Sequence, residues 1–339
     1  MKRDRAVLQK SLWILCIFTV FCLPSWAAEW TFVAGGSEDG WVNQLVINPT
    51  NPNIFYAATE GGGVLVSEDG GNSWAEKNQG FTEAADGTVS GYQVRCLALD
   101  PAKPGVIYAG MAAFGVFKST DNGATWVEMN EGLGDSFTKI IAIHPAKPDT
   151  IYLGTEAGGV YRLDNKTNEW QEINEGLKNT HITAMVMDPK DPKVIYVGTI
   201  YGSVSKTANG GDSWAQASNG ITTRYVLCLA IDPKNPKILY AGTEGSGLFK
   251  TEDGGNNWVS IGGEIWMAKP ASEEVVNPGA EVQNILTVSF VVVNPVNTAI
   301  VYAANQSGVF RSADGGTTWA QINTGLTNTA IKSLTVTPD

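Results

Sequence analysis

A tyrosine and a tryptophan recur at regular intervals along most of this 339-residue chain, and this repeat restricts the fold more than any other feature. Each unit reads as an apolar stretch, then D-P-x-x-P, I-Y-x-G-T, G-V-F-x-S and x-D-G-G-x-x-W, and three successive tyrosine spacings are 44 residues. Such a period predicts a supersecondary unit that must stack on its neighbours to bury a core. The tyrosines are Tyr56, Tyr108, Tyr152, Tyr196, Tyr240 and Tyr302.

Each unit contains four short segments with the composition of β-strands, which we label A to D. In the fourth unit these segments are ITAMVM, VIYVGT, GSVSKT and SWAQAS, and they are separated by turn signals such as Asp188-Pro189 and Asn209-Gly210. Four antiparallel strands in about 44 residues match one blade of a β-propeller. We therefore predict an all-β fold in which residues 28–339 form a single propeller of four-stranded antiparallel blades.

The spacing near the two termini predicts the number of blades. In the shorter units, 18 residues separate the tryptophan from the next D-P-like site, and the same interval separates Trp30 from Asn48 and Trp319 from Thr337. Trp30 then marks a strand D, and the segment IKSLTV is a strand A. We expect a seven-bladed ring whose last blade is incomplete in this chain, with a six-bladed ring as the alternative.

Residues 1–27 have the pattern of a secretory signal peptide. Four basic residues precede a 12-residue apolar run at 12–23, and small residues occupy the positions before a cleavage site after Ala27. We expect a secreted or periplasmic protein with no transmembrane span after cleavage. The remainder holds 19 Lys/Arg and 33 Asp/Glu, a net charge of −14. This charge argues against nucleic-acid binding and suits cationic or neutral partners.

The last part of each unit is an acidic, glycine-rich octet that ends in tryptophan, as in SEDGGNSW at 67–74. Glycine allows positive φ in a tight turn, and an aspartate there accepts bonds from nearby backbone N–H groups. We therefore interpret the aspartates and tryptophans of these octets as structural. They are Asp69, Trp74, Asp121, Trp126, Asp164, Trp170, Trp214, Asp253, Trp258, Asp314 and Trp319.

These octets resemble the Asp-box, or bacterial neuraminidase repeat, S-x-D-x-G-x-T-W. The copy ending at Trp214 has Asn209 in place of aspartate, and the copy ending at Trp170 has Lys166 in place of glycine. The resemblance implies a propeller of the kind shared by sialidases, xyloglucanases, sortilin-type receptors and photosystem II assembly factors. Because these proteins do different things, the resemblance selects a fold and not a function.

We predict no metal and no cofactor. Each octet offers one carboxylate, whereas calcium takes six to eight oxygen ligands. His144 replaces the aspartate of a D-P turn, and His181 has no histidine or cysteine near it in the sequence. Cys96 and Cys228 occupy matching positions three units apart, so we interpret them as buried thiols and not as a disulfide.

The direction of the strands separates two faces of the ring. The A–B and C–D turns share one face, and the D–A and B–C loops share the other. Two of the D–A loops are long, with 26 residues from Trp74 to Asp100 and 36 from Trp258 to Asn294. These two long loops favour binding on that face. The alternative is that its aromatic residues pack beneath their own loops. The ligand-binding candidates are Trp41, Phe114, Phe137, His181, Tyr201, Arg224, Tyr225 and Trp266.

Catalysis is the second hypothesis, because Glu60, Glu156 and Glu244 occupy B–C loops and paired carboxylates hydrolyse glycosides. The resemblance implies that a sialidase would need three arginines, yet only four follow the signal peptide and two of them occupy a strand C position. The residues therefore favour an exported, non-catalytic, monomeric propeller that binds a protein or glycan partner. The alternatives are a xyloglucanase-like or sialidase-like hydrolase, and an assembly factor for a membrane complex.

Overall fold

The computed structural model contains 24 β-strands and one short 3-10 helix, Gly263–Trp266, in the part of the chain that it describes. The predicted all-β class is confirmed. None of the described helical residues forms a segment long and apolar enough to cross a membrane. The predicted signal peptide at 1–27 and the strand predicted at Trp30 lie outside the described residues. The described residues are 41–81, 92–201, 203–223, 225–266, 287–326, 329, 331 and 333–336.

The described strands form six successive antiparallel blades, in which strands A to D pair in chain order. Glu60 at the end of strand B of blade 1 also pairs with Gln93 at the start of blade 2. Blades 1 and 2 comprise Val42–Ile47, Phe55–Gly61, Val64–Ser67, Ala75–Glu76, and Tyr92–Leu99, Ile107–Met111, Gly115–Ser119, Val127–Glu128. Blades 3 and 4 comprise Thr138–His144, Lys147–Thr155, Val160–Asp164, Glu169–Glu172, and Ile182–Met187, Ile195–Thr199, Ser203–Thr207, Ala215–Gln216. Blades 5 and 6 comprise Val226–Ile231, Leu239–Thr243, Leu248–Thr251, Val259–Ile261, and Phe290–Val293, Val301–Asn305, Gly308–Ser312, Ala320–Gln321.

The strands A are adjacent to one another around the ring, from blade 1 through blade 6. After blade 6, Ile331, Leu334 and Val336 pack against the apolar cluster of that blade. The Leu45 amide of blade 1 donates to Ser333 Oγ at 3.2 Å. The segment predicted to be a seventh strand A therefore contacts both blade 6 and blade 1. The seven-bladed ring itself stays a prediction.

The hydrophobic core lies between successive blades. The strands B supply much of it: all five residues of Ile195–Thr199 are buried, for example. Tyr196 of blade 4 packs in one cluster with Phe249 and Trp258 of blade 5. Because each such cluster takes side chains from two neighbouring sheets, a blade cannot bury its apolar surface alone, as the repeat predicted.

The octets form tight turns between strands C and D, which we call the acidic turns. In blade 2, Asp121 accepts the Ser119 hydroxyl at 2.8 Å, the Thr125 amide at 2.9 Å and the Thr125 hydroxyl at 2.6 Å. Asp69, Asp253 and Asp314 accept the equivalent bonds. Side-chain and backbone hydrogen bonds lower the pKa of all four aspartates to about 2. Each carboxylate is thus used within its own turn.

These low pKa values predict a stability loss in acid. The folded-state pKa of about 2 is below the ordinary 3.8, so the contribution is complete above pH 4 and is lost as pH falls towards 2. Asn209 in blade 4 accepts the Thr207 hydroxyl and the Ser213 amide and donates to the Ser213 hydroxyl, without titrating. Thermal unfolding between pH 5 and 2 should therefore depend less on pH in Asp121→Asn and more in Asn209→Asp than in the wild type. Parallel pH profiles for the three proteins would contradict this assignment.

Four of the six tryptophans that end the octets bond to the preceding blade, which the sequence did not predict, whereas Trp74 and Trp319 donate to a glycine carbonyl of their own turns. Four indole N–H groups donate to a carbonyl that follows strand D of the preceding blade, at 2.6–2.8 Å. From the other side, the Tyr196 hydroxyl of blade 4 donates to the Gly254 carbonyl in the turn of blade 5 at 2.9 Å. The acidic turns therefore join blades. The four indole bonds are Trp126 to Lys77, Trp170 to Met129, Trp214 to Ile173 and Trp258 to Ala217.

The turn of blade 3 departs from this geometry. The Asp164 carboxylate accepts only the Lys166 amide at 2.9 Å and, at 3.4 Å, the Gln171 side chain. Its strands C and D are paired up to Asp164 and Glu169, so the turn is a plain hairpin. Lys166 replaces the glycine here, and the turn has a single positive-φ residue, Asn168 at +62°, where the other acidic turns have two in succession.

Candidate functional site on the loop face

Hydrogen bonds between turns confirm the predicted separation of the two faces. The Gly70 amide in an acidic turn donates to the Asn53 carbonyl in the A–B turn of the same blade, and Gly210 does the same to Lys193. The acidic turns and the A–B turns therefore share one face, which we call the turn face. The opposite face, which carries the D–A and B–C loops, is the loop face.

On the loop face, three blades place an aromatic residue beside a glutamate. The aromatic residue precedes strand A, the glutamate lies just after the buried part of strand B, and the glutamate amide donates to the aromatic residue's carbonyl at 2.8–3.1 Å. Residues directly opposite each other in an antiparallel pair project to the same side. We call these the aromatic–carboxylate pairs. They are Trp41 and Glu60 in blade 1, Phe137 and Glu156 in blade 3, and Tyr225 and Glu244 in blade 5.

Blades 2 and 4 have the same backbone bond with other side chains. The Ala112 amide donates to Gln93 at 3.0 Å, and the Ile200 amide donates to His181 at 3.2 Å. His181 therefore occupies the position in blade 4 that the sequence assigned to it. The aromatic–carboxylate pairs alternate with these blades around the ring.

The exposed aromatic side chains of the described residues all lie on the loop face. Trp41 is 46% exposed, Phe137 45% and Tyr201 61%. Tyr201 has a φ of +69° and its ring lies 5.0 Å from that of Tyr225, in a tilted contact. Aromatic rings left open in this way are typical of binding surfaces. Four of the predicted binding residues are thus brought to one face.

A polar cluster on the loop face joins blades 3 and 4. Lys139 Nζ lies 3.4 Å from Glu156 Oε1, and His181 Nε2 lies 3.9 Å from the same oxygen. Burial lowers the pKa of His181, while the Glu156 carboxylate opposes the shift. Asp135 accepts three backbone amides, including that of Phe137, and holds the loops of blade 3 in place.

Lys139 was not predicted as a site residue, and a bulge explains its position. The pairing of strands A and B is shifted by one residue in blades 1 to 5, at the second residue of strand A in four of them and at the fourth in blade 2. A bulge turns the extra side chain out of the regular alternation. The hydrophobic pattern alone does not reveal such a shift. The five bulged residues are Asn43, Arg95, Lys139, Thr183 and Leu227.

The three candidate catalytic glutamates do not contact one another. Each lies on a separate blade with one blade between, and among the described residues no hydrogen bond or ion pair joins any two of them. The Glu156 carboxylate instead pairs with Lys139. Glu60 and Glu244 are exposed, and no ion pair of the described chain engages their carboxylates.

Trp266 is the predicted binding residue that the structure places elsewhere. It is 2% exposed, and its indole donates to the Ile261 carbonyl at 2.7 Å. At the four junctions from blade 1 to blade 5, that carbonyl position receives the tryptophan of the next blade. Trp319 of blade 6 instead donates to its own Gly316 at 2.9 Å and packs edge-to-face on Trp266 at 5.5 Å. Trp266 therefore belongs to the core between blades 5 and 6, and not to the loop face.

The remaining candidates contribute little to the site. Phe114 is half-buried against the core of blades 1 and 2, and Arg224 lies outside the described residues. Cys96 and Cys228 are free and buried, as predicted, and burial raises the pKa of each thiol to about 12. In the described part of the chain, histidine, cysteine, aspartate and glutamate side chains form no cluster of three that would hold a metal ion.

No protein-family model matches the chain. An oligoxyloglucan-reducing end-specific xyloglucanase of Emericella nidulans is 30% identical over 98 residues, which is 28% of this chain and 12% of that enzyme. A xyloglucanase of Hypocrea jecorina is 30% identical over 118 residues, 30% of this chain and 14% of that enzyme. The chain therefore matches only about an eighth of the length of these curated relatives.

Solved structures with the same fold include xyloglucanases and YCF48. The GH74 xyloglucanase of Xanthomonas campestris superposes with a TM-score of 0.69 at 18% identity, over 88% of this chain and 49% of that one. YCF48 of Cyanidioschyzon merolae superposes with a TM-score of 0.61 at 17% identity, over 86% of this chain and 88% of that one. YCF48 bound to D1 peptide superposes with a TM-score of 0.62 at 15% identity, over 95% of this chain and 91% of that one. At these identities the likeness establishes the fold: the chain is a β-propeller.

Proposed function

We propose that this protein is an exported, monomeric binding propeller whose loop face holds a protein or glycan partner. One observation carries the proposal: Trp41, Phe137 and Tyr201 are the exposed aromatic side chains of the described residues, and they lie on one face. Removing large aromatic surfaces from water is favourable, and these exposed rings do not gain that free energy in the protein alone. A partner that covers them recovers it.

The distribution of polar groups supports binding over catalysis. Glycoside hydrolysis needs two carboxyl groups that flank one bond, about 5 to 10 Å apart. The three glutamates lie on alternate blades, and Glu156 is engaged by Lys139. The likeness to YCF48 with a bound peptide adds support, since it extends over nine-tenths or more of both chains.

A hydrolase and an assembly factor are the alternatives. The xyloglucanase likeness favours the first, in which Glu60, Glu156 or Glu244 would be the acid and base. The YCF48 likeness favours the second, in which the bound partner would be a subunit of a membrane complex. Both alternatives also use the loop face.

The test compares two triple variants on an array of glycans and peptides. Trp41→Ala/Phe137→Ala/Tyr201→Ala should weaken binding at least about ten-fold, because truncating an interface aromatic residue commonly costs more than roughly 1 kcal/mol. The control is Val127→Ala/Val259→Ala/Val296→Ala, which removes apolar side chains that are 70%, 66% and 53% exposed on other parts of the surface. If the protein cleaves xyloglucan or sialosides, and Glu→Gln changes abolish that cleavage, the proposal is overturned in favour of the hydrolase.

A further inference from the structure

We propose that the loop face of blades 3 to 5 binds a proline-rich segment of a partner protein in the extended polyproline II conformation. This inference rests on the proposed function and names the chemical class of its partner. Two features carry it. One is a row of exposed aromatic rings with hydrogen-bond donors between them, and the other is a tyrosine held in a backbone conformation that tyrosine rarely adopts.

Hydrogen bonds and side-chain contacts link five residues into one row across these three blades. The Glu156 amide donates to the Phe137 carbonyl at 2.9 Å, and Glu156 Oε1 lies 3.9 Å from His181 Nε2 of blade 4. The residue before Tyr201 donates its amide to the His181 carbonyl at 3.2 Å. The Tyr201 ring lies 5.0 Å from the Tyr225 ring of blade 5. We call these residues the loop-face row: Phe137, Glu156, His181, Tyr201 and Tyr225.

Both ends of the loop-face row present aromatic side chains. Phe137 is 45% exposed at one end, and Tyr201 is 61% exposed at the other, where it contacts Tyr225. Proline-rich segments dock on surfaces lined by aromatic rings, and their polyproline II conformation is already extended, so binding costs little conformational entropy. The rings at the two ends therefore suit the pyrrolidine rings of such a segment.

The centre of the row offers hydrogen-bond donors more than acceptors. Lys139 Nζ lies 3.4 Å from Glu156 Oε1, so that carboxylate already has a cation beside it, and the nearby Asp135 carboxylate accepts three backbone amides. The side chains of Lys139 and His181 are 25% and 31% exposed, and both donate hydrogen bonds. A polyproline II segment has no internal hydrogen bonds and proline has no N–H, so it presents mainly acceptors.

Other partners make demands that this row meets less well. Sugar hydroxyls and ordinary peptide N–H groups donate, so they need acceptors, and the carboxylates here already accept bonds or ion pairs from Lys139 and backbone amides. The chain has a formal charge of −11, so its field repels acidic segments. A neutral or basic proline-rich segment satisfies both conditions.

Tyr201 has a backbone conformation that favours glycine. Its φ is +69°, and Gly245, the matching residue of blade 5, has a φ of +70°. A bulky residue with positive φ is a rare outlier, and such strain persists at ligand sites, where the side chain has a function. Glycine makes the same turn in blade 5 without this strain. The turn alone therefore does not account for a tyrosine whose ring is mostly exposed.

The experiment measures, by fluorescence anisotropy, the affinity of the protein for labelled dodecapeptides from a P-x-x-P array. The comparison probes are the same peptides with alanine at each proline, and labelled xyloglucan oligosaccharides. The best P-x-x-P peptide should bind at least about ten-fold more tightly than its alanine counterpart, because proline fixes the conformation and supplies the ring that packs on the aromatic side chains.

Matched variants test the aromatic ends of the row. Phe137→Ala/Tyr201→Gly should weaken binding of that peptide at least about ten-fold. The control Val127→Ala/Val259→Ala removes two exposed apolar side chains outside the row and should bind like the wild type. Tyr201→Gly alone should lower the affinity and leave the urea midpoint of unfolding equal or higher, because the backbone strain is relieved. A lower midpoint with unchanged affinity would assign Tyr201 a structural role and overturn the inference.

Two further variants test the direction of the hydrogen bonds. Lys139→Met removes a donor and keeps a side chain of similar length, so it should weaken binding about five-fold. Glu156→Gln removes a charged acceptor and should change the affinity by less than about two-fold. A ligand that depends on acceptors would show the reverse order of losses.

Three results would overturn the inference. They are no preference for proline over alanine, equal losses in the two double variants, and a larger loss in Glu156→Gln than in Lys139→Met. Oligosaccharide binding that needs Phe137 and Tyr201, without binding of any P-x-x-P peptide, would also overturn it. That last result would leave the proposed binding function intact, whereas cleavage of the oligosaccharides would overturn the proposed function itself, so the two failures are distinguishable.

Discussion

Replacing Gly176 with alanine should destabilise the protein by about 4 kcal/mol, through a strained backbone and a close contact with the next blade. Gly176 has a φ of +81°, where an L-residue costs about 1–2 kcal/mol. The added Cβ would also lie 2.3 Å from the Trp214 carbonyl of the next blade. That backbone is not free to retreat, because the Trp214 amide donates to the Glu175 carbonyl at 2.8 Å. Urea unfolding followed by tryptophan fluorescence measures the change.

Gly245 provides the control for backbone strain alone. Its φ is +70°, and a Cβ there would meet no atom within 4 Å. Gly245→Ala should therefore cost only about 1–2 kcal/mol. If the two variants lose the same free energy of unfolding, the close contact between blades at Gly176 is not what stabilises the ring.

Replacing Trp266 with alanine should destabilise the protein by about 3–5 kcal/mol, the usual cost of removing a buried aromatic side chain. The variant loses the bond to the Ile261 carbonyl and the contacts with Trp319 and Phe310. It also leaves the Ile261 carbonyl without its indole donor. The measurement is again urea unfolding.

Trp41→Ala is the counterpart, because this tryptophan is 46% exposed on the loop face. Its effect on stability should stay within about 0.5 kcal/mol, as for most surface changes. A Trp266 variant that unfolds like the wild type but loses ligand would instead restore the binding role that the sequence suggested for this residue.

The repeat made the strands predictable. ITAMVM is strand A of blade 4 at Ile182–Met187, and the predicted strands B and C of that blade end at Thr199 and Thr207, as observed. Strand D was predicted too long, since only Ala215–Gln216 pairs. Alternating burial and turn chemistry are local properties, so they can be read from one unit at a time.

Contacts between blades were not predictable in the same way. Trp214 and Trp319 occupy the same place in their repeats, yet one indole bonds to the preceding blade and the other to its own turn. At Trp319, the carbonyl of the preceding blade is bonded instead by Trp266, which lies in an insertion that the repeat does not describe. Lys139 was missed for a related reason, because its position depends on a bulge in the pairing of two strands.

The central claim is that the loop face binds the partner while the acidic turns hold the blades together. The most direct measurement is the affinity of any array-positive glycan or peptide for the two triple variants. A loss of at least about ten-fold in Trp41→Ala/Phe137→Ala/Tyr201→Ala, with wild-type affinity in Val127→Ala/Val259→Ala/Val296→Ala, is the predicted result. Wild-type affinity in the first variant, or an equal loss in both, would contradict it.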